Sequence, residues 1–484
     1  MTHNLNGEEP FFKNSAKRKN FLPWPGVAAF VVLVCLSVYA LGANPFSGQT
    51  VAPLDLLMAH PGWSTVQTHH TVVHSESTDI IDSQLPAWIT LKAQIMAGQG
   101  ALWWPYGTGG QPVANELFNP AFLLFLSVND NALAYYLVCL AKLVISGFGA
   151  YLLLRIFLRR LPSLWGGFVY MLCGFNAAWF FWDHVTTAMW IPWLLWATVR
   201  YLRTDDAKWL PAITLISLLL IFGAFPPVAA FGFYSFGLLI LIWNAHGFFS
   251  GDRRSSNKDN LKLFLKKSAL PMVAVAIGFL LSAVVLFPLV DSLSWVNLSY
   301  RIPRAKTLLQ TRDLLLLFFH ENPPQIERTV YIGIPAVVLA LAGVFSAFRA
   351  NDGNLKLFTF FNTALVVITI LISFGLLPHQ LIRAIPVFNT HNWGRLIVVP
   401  LLGFAVLSSI GMNFLLSTLP PLVGGYLKIT PLRVHQVLTV LLIPIPALAG
   451  GRIGVGEYLL RTILWLGGAA IAAFVVKSLP DAAL

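Results

Sequence analysis

The chain has 484 residues, of which 57% are hydrophobic and only 11% charged, with mean hydropathy +0.71 and a net charge of +12. About a quarter of the residues of a soluble domain are charged, so this composition excludes an ordinary soluble enzyme and predicts an all-α polytopic membrane protein. The positive charge does not imply nucleic acid, because Lys and Arg sit in short clusters between apolar runs, the pattern of cytoplasmic loops. Cys35, Cys139 and Cys173 lie inside apolar runs without metal-ligand spacing and read as small core side chains.

Residues 1–24 form a cytoplasmic segment carrying Lys13, Lys17, Arg18 and Lys19, followed by a first span at 26–41 that reads as a retained helix rather than a cleaved signal. The first outer loop then runs over 44–119. A second span at 132–157 returns to Arg155, Arg159 and Arg160; a third at 164–182 goes out to Asp183 and His184; a fourth comes back to Arg200, Arg203 and Lys208. The fifth and sixth form a hairpin around Phe225-Pro226-Pro227, and the most basic connector follows, from Arg253 to Lys267. A seventh span at 271–289 leads to an outer segment at 291–328. Spans at 330–348 and 357–377, an outer segment at 378–395 and a tenth span ending near 416 complete a domain over 25–416. Residues 417–484 are expected to form a transmembrane hairpin, with spans near 437–449 and 458–476. The total is about twelve spans, with the N-terminus inside and the bilayer as the main partner.

Carboxylates cluster on the predicted outer side: Asp55, Glu76, Asp79, Asp82, Glu116, Asp183, Asp291, Asp313, Glu321 and Glu327. Acids contribute little to insertion, so the lean places any chemistry outside. Residues 88–97 have apolar side chains at helical spacing and read as an interfacial helix, with Trp88, Trp103 and Trp104 at headgroup level. A carboxylate just before it, Asp79 or Asp82, would stand at the water–lipid boundary. The structural alternative is that Asp79 only caps the helix. Arg301, Arg304 and Lys306 form the densest outer basic cluster, suited to a phosphate or to headgroup anchoring. Glu116, Asp183, His184 and Arg395 are further substrate-binding candidates, and Lys142, at mid-helix, is expected to face the bundle interior as a carboxylate partner. His320, Glu321 and Glu327 are weaker candidates for acceptor binding.

The stretches Asp79 to Pro86, Gly98 to Pro105 and Gly109 to Pro120 resemble the first outer loop of the YfhO family of bacterial membrane proteins. The segments His184 to Arg203, Tyr331-Ile332-Gly333 and Ile385-Pro386-Val387-Phe388 with Asn392 to Arg395 resemble later family motifs in the same order. The resemblance implies a GT-C-like bundle in the bacterial cytoplasmic (inner) membrane. It implies transfer of a sugar from a polyprenyl-phosphate carrier to an extracytoplasmic glycan, lipid or protein acceptor, with Asp79 matching the family acid. The arginine expected shortly before Arg395 has no counterpart; Asn389-Thr390-His391-Asn392 stands there. A divalent metal is compatible with this chemistry but not required by it, and the sequence offers no metal-ligand spacing. Two other classes fit a polytopic chain: a transporter or flippase of a lipid-linked glycan, and a non-catalytic envelope-assembly protein. A transporter commonly shows an internal repeat and paired ionisable residues at mid-membrane, whereas here Lys142 is nearly alone at depth and the acids gather in the outer loop.

Overall fold

The computed structural model describes residues 24–47, 49–65, 72, 76–100, 103–104, 110–112, 114–250, 257–295, 297, 299, 306–318 and 325–423. The N-terminal segment before residue 24, Arg301, Arg304, His320, Glu321 and the two C-terminal spans expected at 437–449 and 458–476 lie outside them. The described chain is helical apart from loops and one two-stranded antiparallel ribbon, β1 (Trp103–Trp104) with β2 (Gln111–Pro112).

The helices in chain order are α1 (Trp24–Leu41), α2 (Leu85–Met96), α3 (Ala114–Phe118), α4 (Pro120–Leu126), α5 (Asn131–Leu154) and α6 (Arg160–Met171). They are followed by α7 (Gly174–Ala178), α8 (Asp183–Ala188), α9 (Ile191–Thr204), α10 (Leu210–Phe222), α11 (Pro226–Ser250) and α12 (Asn257–Leu281). The last are α13 (Ala283–Leu293), α14 (Ile334–Ala347), α15 (Gly353–Ser373), α16 (His379–Arg383) and α17 (Val398–Val423). Among the described residues five helical stretches are long and apolar enough to cross a bilayer: Asn131–Leu154, Pro226–Phe249, Phe264–Leu281, Gly353–Ser373 and Trp393–Ser417. Four shorter apolar helices accompany them, Gly26–Leu41, Ala207–Phe222, Ala283–Leu293 and Ile334–Ala347. This is an α-helical membrane protein, but not twelve uninterrupted spans.

The third and fourth expected spans are where continuity fails. α6 stops at Met171, Cys173 is extended, and the Gly174 N–H donates to the Tyr331 carbonyl at 2.7 Å instead of to its own helix. A Cβ on Gly174 would lie 2.6 Å from the Tyr331 nitrogen, so only glycine lets the two backbones meet. Short helices α7 and α8 then replace the end of one span and the start of the next, before Pro192 opens α9. Hydropathy averages over such a break because its side chains, including Phe175, Val185 and Ala188, are as apolar and buried as the helices around them.

The main core joins α5 to α11 with α14, α15 and α17. α14 and α17 cross closely, because a Cβ on Gly343 would strike the Leu407 carbonyl and one on Gly411 the Leu339 carbonyl; small residues let helices approach in this way in a membrane. α12 instead exposes Met272, Val273, Ile277, Phe279, Leu280 and Leu281, an apolar face suited to lipid.

The segment between α1 and α5 carries its own core, and this corrects the expectation for Trp88. Trp88, Leu91 and Lys92 recur at helical spacing on one face of α2 and are buried. Trp88 packs on Phe122 and Phe125 of α4 and Tyr135 of α5, with ring centroids 5.6, 5.5 and 6.4 Å away, rather than standing at headgroup level. Lys92 donates to the Asn129 carbonyl at 3.0 Å and to Asn131 Oδ1 at 2.9 Å, tying α2 to the start of α5. Ile89 and Met96, on the other side, are exposed, as is Trp103. The apolar pattern marked the helix correctly, but pattern cannot distinguish a lipid-facing stripe from one docked on other helices.

Candidate functional site

Trp182, Asp183 and His184 are consecutive at the start of α8, and each reaches a different part of the molecule. Trp182 donates from its indole nitrogen to Asp79 Oδ2 at 3.4 Å. Asp183 accepts from Asn119 Nδ2 at 3.1 Å and Gln84 Nε2 at 3.3 Å. His184 stacks between Trp179 and Phe225, with centroids 4.0 and 3.5 Å away, and its Nε2 lies 3.2 Å from Arg395 Nη1. The broken helix is therefore the hub at which the segment between α1 and α5 meets the turn before α17.

Asp79 precedes a five-residue π-turn, Ile80–Gln84, that runs directly into α2. The wider π spacing brings residues five apart onto one side, which lets Asp79 and Gln84 both face α8. Asp79 makes no capping hydrogen bond, so the capping alternative fails, and its carboxylate stays exposed. Asp82, by contrast, is 3.3 Å from His60 Nε2 in a half-exposed pair. Glu76, just upstream, accepts the Ile326 N–H at 2.9 Å and fastens this loop to the segment before α14.

Below Asp79 lies a carboxylate pair. Glu116 accepts the Trp88 indole N–H at 2.6 Å. Burial first, then the neighbouring Asp183 charge, push the Glu116 carboxyl up to about 7, against the opposing Trp88 hydrogen bond. Burial likewise raises Asp183, opposed by the charge of Lys142 and by the hydrogen bond from Asn119. Two carboxylates this strongly linked titrate as a unit that retains a proton longer than either acid would alone. Lys142 is buried inside the bundle, as expected, and donates to the carbonyls of Phe180, Phe181 and Trp182 at 3.2, 3.3 and 3.1 Å. It thereby holds the turn that presents Trp182 and Asp183.

On the other side of the hub, Arg395 engages Glu327 through both Nε, at 3.1 and 3.2 Å, and Nη2. Its guanidinium lies 4.6 Å over Trp179, and Nη1 is 3.5 Å from His391 Nε2. Burial, then Arg395, His391 and Lys142, hold His184 well below the ordinary histidine range. A neutral His184 accepts from Arg395 at Nε2 and so carries its proton on Nδ1, which has no acceptor. Asn392 Nδ2 also donates to Glu327, at 2.9 Å. The residues standing in place of the expected second arginine thus buttress this ion pair. Lys306 lies alongside, its carbonyl accepting the Trp393 N–H at 3.2 Å.

Of the expected site residues, Asp79, Glu116, Asp183, His184 and Arg395 therefore belong to one connected network, Lys306 adjoins it, and Asp82 turns to His60. Gln84, Asn119, Trp179, Trp182, Phe225 and His391 join it without having been singled out by sequence, and Glu327 enters as the partner of Arg395. Only the Asn119-Pro120 step, a helix-start signal, and the replacement of an expected arginine near His391 could have drawn notice. Among the described residues no three His, Cys, Asp or Glu side chains are grouped as metal ligands.

No family model matches the chain, and no curated protein matches it. A solved structure that resembles it is the archaeal oligosaccharyltransferase AglB from Archaeoglobus fulgidus, in complex with an inhibitory peptide and a dolichol-phosphate. The TM-score is 0.44 at 14% identity, over 93% of this chain and 56% of that one, so the chain spans little more than half of that neighbour's length.

Proposed function

We propose that this chain is a membrane glycosyltransferase that moves a sugar from a polyprenyl-phosphate carrier to an extracytoplasmic acceptor, with Asp79 as general base. The observation that carries the reading is the setting of Asp79. It is an exposed carboxylate, oriented by Trp182, on a turn fastened through Gln84 and Trp88 to the Asp183 and Glu116 pair. The ordered motifs resembling the YfhO family agree with it.

The chemistry asks for little more. An acceptor hydroxyl becomes a competent nucleophile when a base takes its proton during attack. The leaving group is already a phosphate and needs positive charge rather than a general acid. Lys306 on the segment beside Arg395, with Arg301 and Arg304 upstream, would supply it. Arg395 is committed to Glu327 and serves this reading by fixing the turn, or by sharing its remaining edge with the phosphate. Direct displacement by the acceptor, with no second carboxylate as nucleophile, inverts the anomeric configuration.

The test is sugar transfer by the purified chain from a polyprenyl-phosphate donor. Asp79→Asn should lower the rate about 100- to 10,000-fold, while Asp82→Asn lowers it far less. A dead Asp82→Asn beside an active Asp79→Asn would move the base three residues along. Full activity in both would remove this loop from the mechanism.

A further inference from the structure

At the end of α5 and α9 remote from Asp183, three arginines gather. Arg155 follows α5; Arg200 and Arg203 close α9, four and seven residues after Trp196 and hence along one stripe of the helix. Arg155 and Arg203 both lie close enough to Arg200 to act on its charge. Arg155 donates to the Leu158 carbonyl, and Arg203 to the Ile156 carbonyl at 2.8 Å. These carbonyls beyond α5 account for one donor on each; a helix C-terminus draws cations in this way. Nothing similar accounts for Arg200, whose Nε is buried without an acceptor. Its guanidinium lies 5.6 Å over Trp209, and Trp209 in turn meets Trp196 edge-on at 5.1 Å. Both of those indole N–H groups are also buried without an acceptor.

Indole and guanidinium nitrogens can only donate, and buried donors are nearly always paired. Three such donors beside three mutually repelling guanidinium groups describe a place that lacks an acceptor of negative charge. The nearby carboxylates are engaged elsewhere: Asp205 with Lys267 at 3.4 Å, Asp206 with Lys208, and Asp352 with the first turn of α15. Among the described residues none pairs with Arg155, Arg200 or Arg203.

We infer that this end of the bundle binds a phosphate-bearing anion, gripped by Arg155, Arg200 and Arg203 and hydrogen-bonded by the indoles of Trp196 and Trp209. Arginine suits a phosphate because its planar fork matches two oxygens at once. Basic pockets between membrane helices commonly receive anionic headgroups. The phosphate can belong to a phospholipid headgroup or to a soluble phosphate ester, since both present the same oxygens. The site is separate from Asp79 and does not depend on the proposed transferase activity.

The experiment is native mass spectrometry of the full-length chain in neutral detergent, titrated with phosphatidylglycerol, with phosphatidylcholine and with inorganic phosphate. The wild-type chain should retain phosphatidylglycerol over phosphatidylcholine. If inorganic phosphate competes it off, the oxygens alone are recognised and a soluble ester is the better occupant; if it does not, the occupant is the lipid. The double variant Arg200→Gln/Arg203→Gln should bind at least about tenfold more weakly. Trp209→Phe keeps the ring and removes one donor, and should weaken binding severalfold even if the arginine variant folds poorly. Wild-type binding in Trp209→Phe together with Arg200→Gln would overturn the site, as would a wild-type chain that holds neither anion.

Discussion

At the Asp183 end of α9, charge meets its opposite: Arg395 pairs with Glu327, and the charge of Lys142 acts on Asp183. At the Arg200 end the same helix gathers Arg155, Arg200 and Arg203 among carbonyls and aromatic faces, with no carboxylate paired to them among the described residues. Isolated charge is costly away from water, so it is paired or retained for a role. The first end looks self-sufficient and therefore pre-built, ready to hold a reacting group in place. The second is incomplete until something negative arrives. Removing a charge should consequently have opposite effects at the two ends.

The largest expected effect is on rate rather than on folding. Asp79 is exposed and hydrogen-bonded only weakly through Trp182, so Asp79→Asn should lose transfer by about 100- to 10,000-fold while melting as the wild type does. A large fall in melting temperature would show that Asp79 is a structural member of the balanced end. At the centre of that end, Glu327→Gln keeps the shape but leaves Arg395 against Trp179 and His184 without a counter-ion. Both partners keep some solvent contact, with side chains 20% and 27% exposed. The cost should therefore fall somewhat below the range for a fully buried pair, at about 2–3 kcal/mol. Thermal unfolding in detergent reads it, and an unchanged midpoint would mean that the pair is solvated and not part of the hub.

Much of this was legible in advance, and what was not has specific causes. Composition gives the membrane class, and hydropathy places α5, α15 and α17 within a few residues. The break at Gly174 was hidden because its reason lies in Tyr331, more than 150 positions away, where the backbone approach occurs. Trp88 was misplaced because tryptophan favours both membrane interfaces and packed cores, and only α4 and α5 decide between them. At the site, the acids and Arg395 were visible as costly residues in an apolar chain. Gln84, Asn119 and Trp182 were not, since neutral donors are ordinary in loops until an acceptor stands opposite. In the sequence the arginines at the far end are topology signals, which is all that their clustering says without the unsatisfied indoles beside them.

The carboxylate pair offers an intermediate effect with a pH signature. Glu116 in the folded chain holds its proton up to about 7, above its ordinary value of 4.5. Between those values the native state binds more protons than the unfolded state, so stability falls as pH rises through that window and levels off above it. Glu116→Gln can still accept from Trp88 and has no charge to desolvate. It should melt at a higher temperature than wild type at pH above about 7, by on the order of 2 kcal/mol, with the gap closing toward pH about 4.5. A gap independent of pH would mean that the Glu116 carboxyl is not raised in the folded chain.

The smallest effect is the one that separates the two ends most cleanly. In neutral detergent without anionic lipid, Arg200→Gln removes a charge that Arg155 and Arg203 repel and that burial disfavours. It also loses the contact over Trp209, worth about 0.5–1 kcal/mol, and that loss works against the gain. The relief should be slightly larger, because two like charges act at once on a group partly withdrawn from water, where charge interactions are strengthened. The variant should therefore melt at or slightly above the wild-type temperature, by up to about 1 kcal/mol. Adding phosphatidylglycerol should reverse the order, since only the wild-type chain retains the full grip on the headgroup. Glu327→Gln should show no such reversal, because its deficit is of negative charge at the hub. If Arg200→Gln instead melts clearly below wild type in neutral detergent, Arg200 already has its counterpart within the protein, and the contrast between the two ends of α9 fails.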